Sequence, residues 1–272
     1  VLPLSPEGRA LERVAWHAAE RPDEINLYDI DARAGFDTPA KVTTTTILRG
    51  VKGLQQQVQL SPATPEQLLA AFRQNLTGTT WQTIDAVKWR YEEKEQASIL
   101  TVSGTWNVDW ENDGDGARSL ALPGGGFNPP DKRLRSAEED QDAPYYNDPR
   151  YSCIVATLRV PTTTKLDNWS TKAGFDARMF GENYYRVLER RAGSIRMIRG
   201  FRTETLELAP ATAAKDNDRI SAFDNSKAYV FYNPASRVPI KAVGIPVPST
   251  DEIDWTADDV PCRASGASAA AN

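Results

Sequence analysis

The sequence has few of the residues that catalysis and metal binding commonly use. Among its 272 residues there are one histidine and two cysteines. A cysteine hydrolase or transglutaminase needs a thiol, an imidazole base and an orienting acid. His17 would have to meet Cys153 or Cys262, and neither neighbourhood has the pattern of such a catalytic core. Two cysteines are also too few for a structural zinc site. The sequence therefore predicts no catalytic residue, no metal and no other cofactor, with His17 on the surface of a helix.

The sequence also lacks a long apolar run and an excess of basic residues. No segment approaches the roughly 20 apolar residues that span a bilayer. The net charge of −5 argues against nucleic-acid binding, which needs a basic surface. We interpret a local basic cluster as a solvated strand face whose charges pair with acidic residues. Its members are Arg186, Arg190, Arg191, Arg196, Arg199 and Arg202.

No signal peptide is visible, and the chain begins at Val1 instead of Met. This start predicts a processed or excised fragment. Cys153 lies in a strand-like segment and Cys262 in a loop-like one. They are disulfide candidates in an oxidising compartment, with two unrelated buried thiols as the alternative.

Several segments have clear secondary-structure signals. A helix is predicted over 5–19, with Ser5 as its N-cap. A second helix has a T-x-x-Q capping box at Thr64 and ends at Gly78. Two strands are predicted at 42–49 and 54–60. A further strand alternates apolar and polar residues over 100–111, with Gly104 on the apolar face as a sign of a bulge or close packing.

Residues 112–150 are rich in glycine, proline and acids, and we expect a long loop or a domain boundary there. Strands resume at 151–160, 183–191 and 194–208, with a helix near 211–223 and a last strand at 228–232. The sequence thus predicts a mainly β, antiparallel, β-sandwich-like protein with two or three short helices. The predicted units are an N-terminal helix plus β lobe (1–111), the loop or boundary (112–150), a C-terminal β lobe (151–262) and a flexible tail (263–272).

Other candidate sites have simpler structural explanations. The acidic turn at 109–116 lacks the bidentate Glu of an EF-hand, since its twelfth position is Leu120. Residues 123–130 hold three glycines without the Lys-Ser/Thr of a phosphate loop. Glu138 and Asp140 lie in a solvated charge run. The tryptophans could form a sugar-stacking platform, but Trp106 and Trp110 share the apolar strand face and are better explained as core. Tyr145 and Tyr146 of the long loop are the candidate exposed binding surface.

Four segments together resemble a known family. They are NLYDIDARAGF, TVSGTWNVDWE, QDAPYYNDPRYSCIVATLRVP and IRMIRGFRTETLELAPATAAKDNDRISAFDNSKAYVFYNP. They resemble the C-terminal β-rich region of bacterial envelope proteins that carry a transglutaminase-like domain behind an N-terminal β-sandwich domain. The catalytic residues of such proteins lie in the middle domain, so the resemblance implies that none carries over to this chain. It also implies a periplasmic or envelope location.

Three functions follow as hypotheses. The first is a non-catalytic accessory module of a transglutaminase-like protein that contacts a protein, a peptide or cell-wall material. Its partners would be the preceding domains of the parent protein or another envelope protein. The second is an independent carbohydrate-binding or adhesion β-sandwich. The third, and weakest, is a hydrolase that uses loop carboxylates.

Overall fold

A computed structural model describes residues 15–172, 174–238, 255, 256 and 262. Strands make up 42% and helices 18% of the described residues, so the protein is mainly β as predicted. The strands are β1 (Glu24–Asp31), β2 (Ala40–Arg49), β3 (Trp81–Glu92), β4 (Ala97–Trp106), β5 (Glu111–Gly114), β6 (Ala117–Ala121), β7 (Tyr145–Tyr146), β8 (Tyr151–Arg159), β9 (Trp169–Thr171), β10 (Phe175–Met179), β11 (Glu182–Arg191), β12 (Ser194–Thr203), β13 (Glu207–Leu208) and β14 (Tyr229–Tyr232). The helices are α1 (Gly50–Leu60), α2 (Pro65–Leu76) and α3 (Pro210–Arg219), with short 3₁₀ helices at Leu166–Asn168 and Ile220–Ala222.

The main sheet has eight strands in the order β10-β11-β12-β8-β1-β2-β4-β3. All neighbours are antiparallel except β1 and β8, which run parallel. A second sheet has the order β5-β6-β14-β9, and β7 pairs with β13. Strands from both sides of 112–150 therefore pair within one sheet. The division of the chain into two lobes stays a prediction.

The predicted strand at 42–49 is found as β2. The alternating strand predicted at 100–111 is found only in part, since β4 ends at Trp106 and residues 107–110 are not in a strand. Gly104 pairs with Val42 on one side and with Ile84 on the other, where the register of β3 shifts. A Cβ atom at Gly104 would overlap the carbonyl of Thr83. The prediction of close packing at this glycine is confirmed.

The predicted helix after Thr64 is α2, and its capping box forms with both hydrogen bonds between Thr64 and Gln67. The strand predicted at 54–60 is wrong, because these residues lie in α1. Leu and Gln are good helix formers, and the apolar residues Val51, Leu54 and Val58 recur at helical spacing. This helix packs closely on β2: a Cβ atom at Gly53 would lie 2.5 Å from the carbonyl of Leu48.

The predicted helix at 5–19 is not helical over residues 15–19, and the rest of it, with Ser5, lies outside the described residues. The carbonyls of Ala18 and Ala19 accept hydrogen bonds from the Arg202 guanidinium instead of from backbone N–H groups of a helix. His17 is exposed on this extended segment and not on a helix. The predicted tail at 263–272 also lies outside the described residues.

The stretch at 112–150 is less irregular than expected, since it holds β5, β6 and β7. Leu120 of β6 is buried and pairs with Val230 of β14, which brings this segment into the second sheet. The helix predicted near 211–223 is α3 with the following 3₁₀ turn, and Phe223, which comes directly after that turn, is buried. The sequence did not predict β1, which lies between β8 and β2 in the main sheet, or the short strands β9 and β10.

Candidate functional site

A groove of about 1060 Å³ lies over one face of the main sheet. Its floor comes from β1, β8, β12 and β11. One wall is the start of α1 and the other is the loop at 127–133. We call it the sheet groove. Strand register explains which side chains reach it, because cross-strand partners share a face: Arg199 pairs with Ile154, and Ile154 pairs with Asn26. One rung further along, Phe201 pairs with Ser152 and with Tyr184.

Arg199 is the basic group on the floor of the sheet groove. Its guanidinium lies 3.9 Å from the ring centroid of Phe127, which fixes its orientation by a cation–π contact. Its Nε atom is shielded from solvent and has no acceptor. Within the described part of the chain, Arg199 makes no hydrogen bond or ion pair. Burial and the neighbouring charge of Arg186 lower the pKa of the Arg199 guanidinium to about 10.

Arg186 lies beside Arg199, as its partner across β11 and β12. Its side chain is fully buried, and its Nη1 atom donates to the carbonyls of Gly125 at 2.6 Å and Ser226 at 2.7 Å. Its Nη2 atom lies 3.7 Å from a carboxylate oxygen of Asp224. Burial lowers the pKa of Arg186, and Asp224 opposes that shift. Arg186 therefore ties two loops to the sheet, whereas Arg199 ties none.

Arg133 belongs to the loop wall. Its backbone N–H donates to Asn217, and its Nη2 atom donates to the side-chain oxygen of Asn147 at 2.9 Å. Asn147 in turn donates to the carbonyls of Phe180 and Thr205. The Nε atom of Arg133 is buried without an acceptor. The loop wall is thus held in place, and one guanidinium N–H of Arg133 stays unused.

The acidic groups of the sheet groove already have partners, except at its rim. The hydroxyl of Tyr184 donates to Glu182 at 2.7 Å, and Lys52 forms an ion pair with Glu24 at 2.9 Å. Burial, and then Glu182, raise the pKa of the Tyr184 phenol far above its usual value, so this hydroxyl stays protonated. Asp131 is exposed at the rim. The floor therefore has a cation but no acid aimed at it among the described residues.

The basic cluster predicted from the sequence is not one solvated face. Arg186 is 0% exposed and Arg196 is 6% exposed, so this interpretation is wrong for both. The signal was nevertheless in the sequence. The Ala-Gly-Ser turn, with Gly193 at φ 71, closes a tight hairpin, and counting back from it pairs residue 186 with residue 199. Two arginines that are cross-strand partners lie on the same face of the sheet, so the sequence predicts a concentration of positive charge there.

The two cysteines are joined in a disulfide, with a Cα–Cα distance of 5.7 Å. Cys153 lies between Ser152 and Ile154, which line the sheet groove, so it points to the opposite face of the sheet. Gly200 is its cross-strand partner, and a Cβ atom there would overlap the carbonyl of Cys262. The disulfide thus secures the chain directly behind the strand that carries Arg199.

Tyr145 and Tyr146 lie outside the sheet groove, on β7. Tyr146 is 67% exposed, and Tyr145 is half-buried beneath the guanidinium of Arg135 at 4.0 Å. A role for them as a binding surface stays a prediction. The tryptophans are packed: Trp169 is fully buried, Trp81 is 7% exposed, and Trp106 packs edge-on against Trp81.

The remaining sequence candidates do not converge on a site. Glu138 and Asp140 are exposed on the long loop, and β5 of the acidic turn is exposed throughout. Over the described ranges, no group of three or more His, Cys, Asp or Glu residues is placed to hold a metal ion. No helix in those ranges is long and apolar enough to cross a membrane.

Comparisons with family models, with curated proteins and with solved structures find no significant match. The assignment of function therefore depends on the geometry of the chain itself.

Proposed function

We propose that this chain is a non-catalytic binding module of an exported, transglutaminase-related protein of the periplasm or cell envelope. It contacts a protein, peptide or cell-wall partner through the sheet groove and the adjoining surface of α1. The observation that carries the proposal is a groove whose floor has an arginine without an acidic partner, and whose rim has an exposed apolar helix face, among the residues that the structure describes.

The apolar face of α1 supports a protein or peptide partner. Val51, Leu54 and Val58 are 71%, 53% and 75% exposed, and their spacing puts them on one side of the helix. Val51 also lines the sheet groove, so the stripe and the groove are continuous. Clustered exposed apolar side chains beside a concave surface are typical of interaction sites.

A photo-crosslinking amino acid placed at Leu54 tests this proposal in the native host. We expect an adduct with an envelope protein or a cell-wall peptide, identified by mass spectrometry, and a large loss of adduct when Val58→Asp is added. Position 88 is the control, since Lys88 is exposed on β3 at the far edge of the main sheet. A crosslinker at Tyr146 tests the other exposed surface.

Adducts at position 146 but not at 54 would move the binding surface to β7. Equal adducts at 54 and 88 would contradict a specific surface on α1. A reading frame that encodes neither an export signal nor a Cys-His-Asp domain would contradict the proposed parent protein.

A further inference from the structure

We propose that the sheet groove binds an organic oxyanion, a carboxylate or phosphate joined to an apolar body, with the guanidinium of Arg199 as its primary contact. The inference rests on the proposed function, because it names the chemistry of the ligand that the groove takes.

The environment of Arg199 favours an anion. Its side chain is half-buried with only the Nε atom fully shielded from solvent, and it lies beside the second cation Arg186 without an acid or carbonyl partner among the described residues. A carboxylate or several hydrogen bonds normally neutralise a cation in such a place. Arg186 has two carbonyl acceptors and Asp224 nearby, whereas Arg199 has a ring contact with Phe127 only. Ionisable groups in perturbed environments of this kind are concentrated at functional sites, where a ligand supplies the missing partner.

The chain does not supply that partner from its own described acids. Glu182 accepts from Tyr184, Glu24 is paired with Lys52, and a carboxylate oxygen of Asp23 accepts from the backbone of Tyr151. Each of these three lines the groove. The positive site on the floor is therefore available to an external anion.

The geometry of the guanidinium favours an oxyanion. Arginine presents a planar fork of N–H donors that matches two oxygens of a carboxylate or phosphate. Stacking on Phe127 holds that plane before the ligand arrives, which lowers the entropy lost on binding. Arg133 lines the groove from the loop wall and adds a second positive charge, and its own position is fixed through Asn147.

The other lining residues define the body of the ligand. Phe127, Ile154 and Phe201 surround the guanidinium with apolar surface. A hydrated inorganic ion would leave this surface in water, whereas an anion attached to an apolar group would cover it. The groove is thus suited to an apolar acid, such as a peptide carboxylate, or to an organic phosphate.

The test is a titration of the full chain with small probes at constant ionic strength. The probes are 3-phenylpropanoate, its neutral amide 3-phenylpropanamide, and phenyl phosphate. Nuclear magnetic resonance follows the Nε–H signal of Arg199, and calorimetry measures the affinity. We expect the acid and the phosphate to shift the Arg199 signal and the amide to leave it unmoved. The tighter of the two anions identifies the ligand class.

Two variants distinguish a specific contribution of Arg199 to anion binding from a general effect of positive surface charge. We expect Arg199→Met to weaken binding of the anions about tenfold or more, because a charge-assisted hydrogen bond is lost. Arg150→Met is the matched control, since Arg150 also lines the groove but is exposed and paired with Asp148. It should change the affinity less than about twofold.

The proposal is overturned if the amide binds as well as the acid, if the Arg199 signal does not move, or if both variants weaken binding equally. If Arg199→Met does not fold, the Nε–H signal of Arg199 in the wild-type protein still shows whether Arg199 responds to the anion. Anion binding without crosslinks at position 54 would contradict the proposed function alone. Crosslinks at 54 without anion binding would contradict this inference alone.

Discussion

In β2 and β4 the polar side chains within the main sheet are mostly threonines, whereas in β11 and β12 they are mostly arginines. We call these pairs of strands the threonine half and the arginine half. Thr45 and Thr101 are cross-strand partners whose hydroxyls lie 3.2 Å apart, so each satisfies the other. Arg186 and Arg199 are also cross-strand partners, but they carry the same charge and cannot satisfy each other. A pair of hydroxyl groups can form its hydrogen bond within the sheet. Two arginines that face each other need hydrogen-bond acceptors or anions from another part of the protein or from a ligand.

The disulfide joins Cys262 to Cys153 of β8, the strand next to the arginine half, and breaking it should have the largest effect. The two cysteines are 109 residues apart in sequence, and a loop of that size corresponds to about 4–5 kcal/mol in the chain-entropy model. We expect Cys262→Ser to lower the free energy of unfolding by about this amount in urea. Reduced wild type should show the same loss. Free thiols in unfolded, unreduced protein would contradict the pairing.

Arg186→Met tests the structural arginine of the arginine half. It should cost about 2–4 kcal/mol of unfolding free energy, because the carbonyls of Gly125 and Ser226 lose their donor. Arg178→Met is the control: Arg178 is half exposed, its ion pairs lie at the surface, and its loss should cost less than about 1 kcal/mol. Equal losses of unfolding free energy in the two variants would mean that the hydrogen bonds of Arg186 to the two loops do not stabilise the fold.

Gly104→Ala tests the packing of the threonine half. The added methyl group would meet the backbone of Thr83, so β3 must shift, at a cost of about 1–3 kcal/mol. At Gly126 an added Cβ atom would make ordinary contacts with Lys227 at 3.7 Å. Thermal unfolding should therefore show a clear drop in Tm for the first variant and little change for Gly126→Ala. A tolerated alanine at position 104 would contradict the close approach.

The smallest effect is expected for the threonine pair itself. A double-mutant cycle of Thr45→Val and Thr101→Val should give a coupling free energy of about 0.2–1 kcal/mol, typical of cross-strand pairs. Chemical unfolding of the four proteins measures it. A coupling of zero would mean that the two hydroxyls bond to water instead, and the comparison between the halves would lose its neutral reference.

The elements that local patterns specify were predictable from the sequence. The capping box at Thr64 and the tight packing at Gly104 depend on neighbouring residues, and both are confirmed. The strand predicted at 54–60 was wrong because the helical spacing of Val51, Leu54 and Val58 begins before that segment, and packing of Gly53 on β2 favours a helix. The parallel pairing of β1 with β8 joins segments more than a hundred residues apart, so no local pattern indicates it.

The candidate site was only partly predictable. The hairpin turn at Gly193 and the arginines on both sides of it were visible, and their register follows from the turn. The burial of Arg186 and the partial burial of Arg199 were not visible, because they depend on Gly125 and Phe127 of a distant loop that folds over the sheet. A sequence shows which charges share a strand face, whereas tertiary packing decides whether water reaches them.

The most direct test of the account is urea unfolding of wild type and Arg199→Met, each with and without 3-phenylpropanoate. Without the probe, the account predicts that Arg199→Met is at least as stable as wild type, because a half-buried charge with no partner among the described residues is replaced by apolar surface. With the probe, wild type should gain stability and the variant should not. A variant that is less stable without the probe, and that gains as much from it as wild type, would contradict the account.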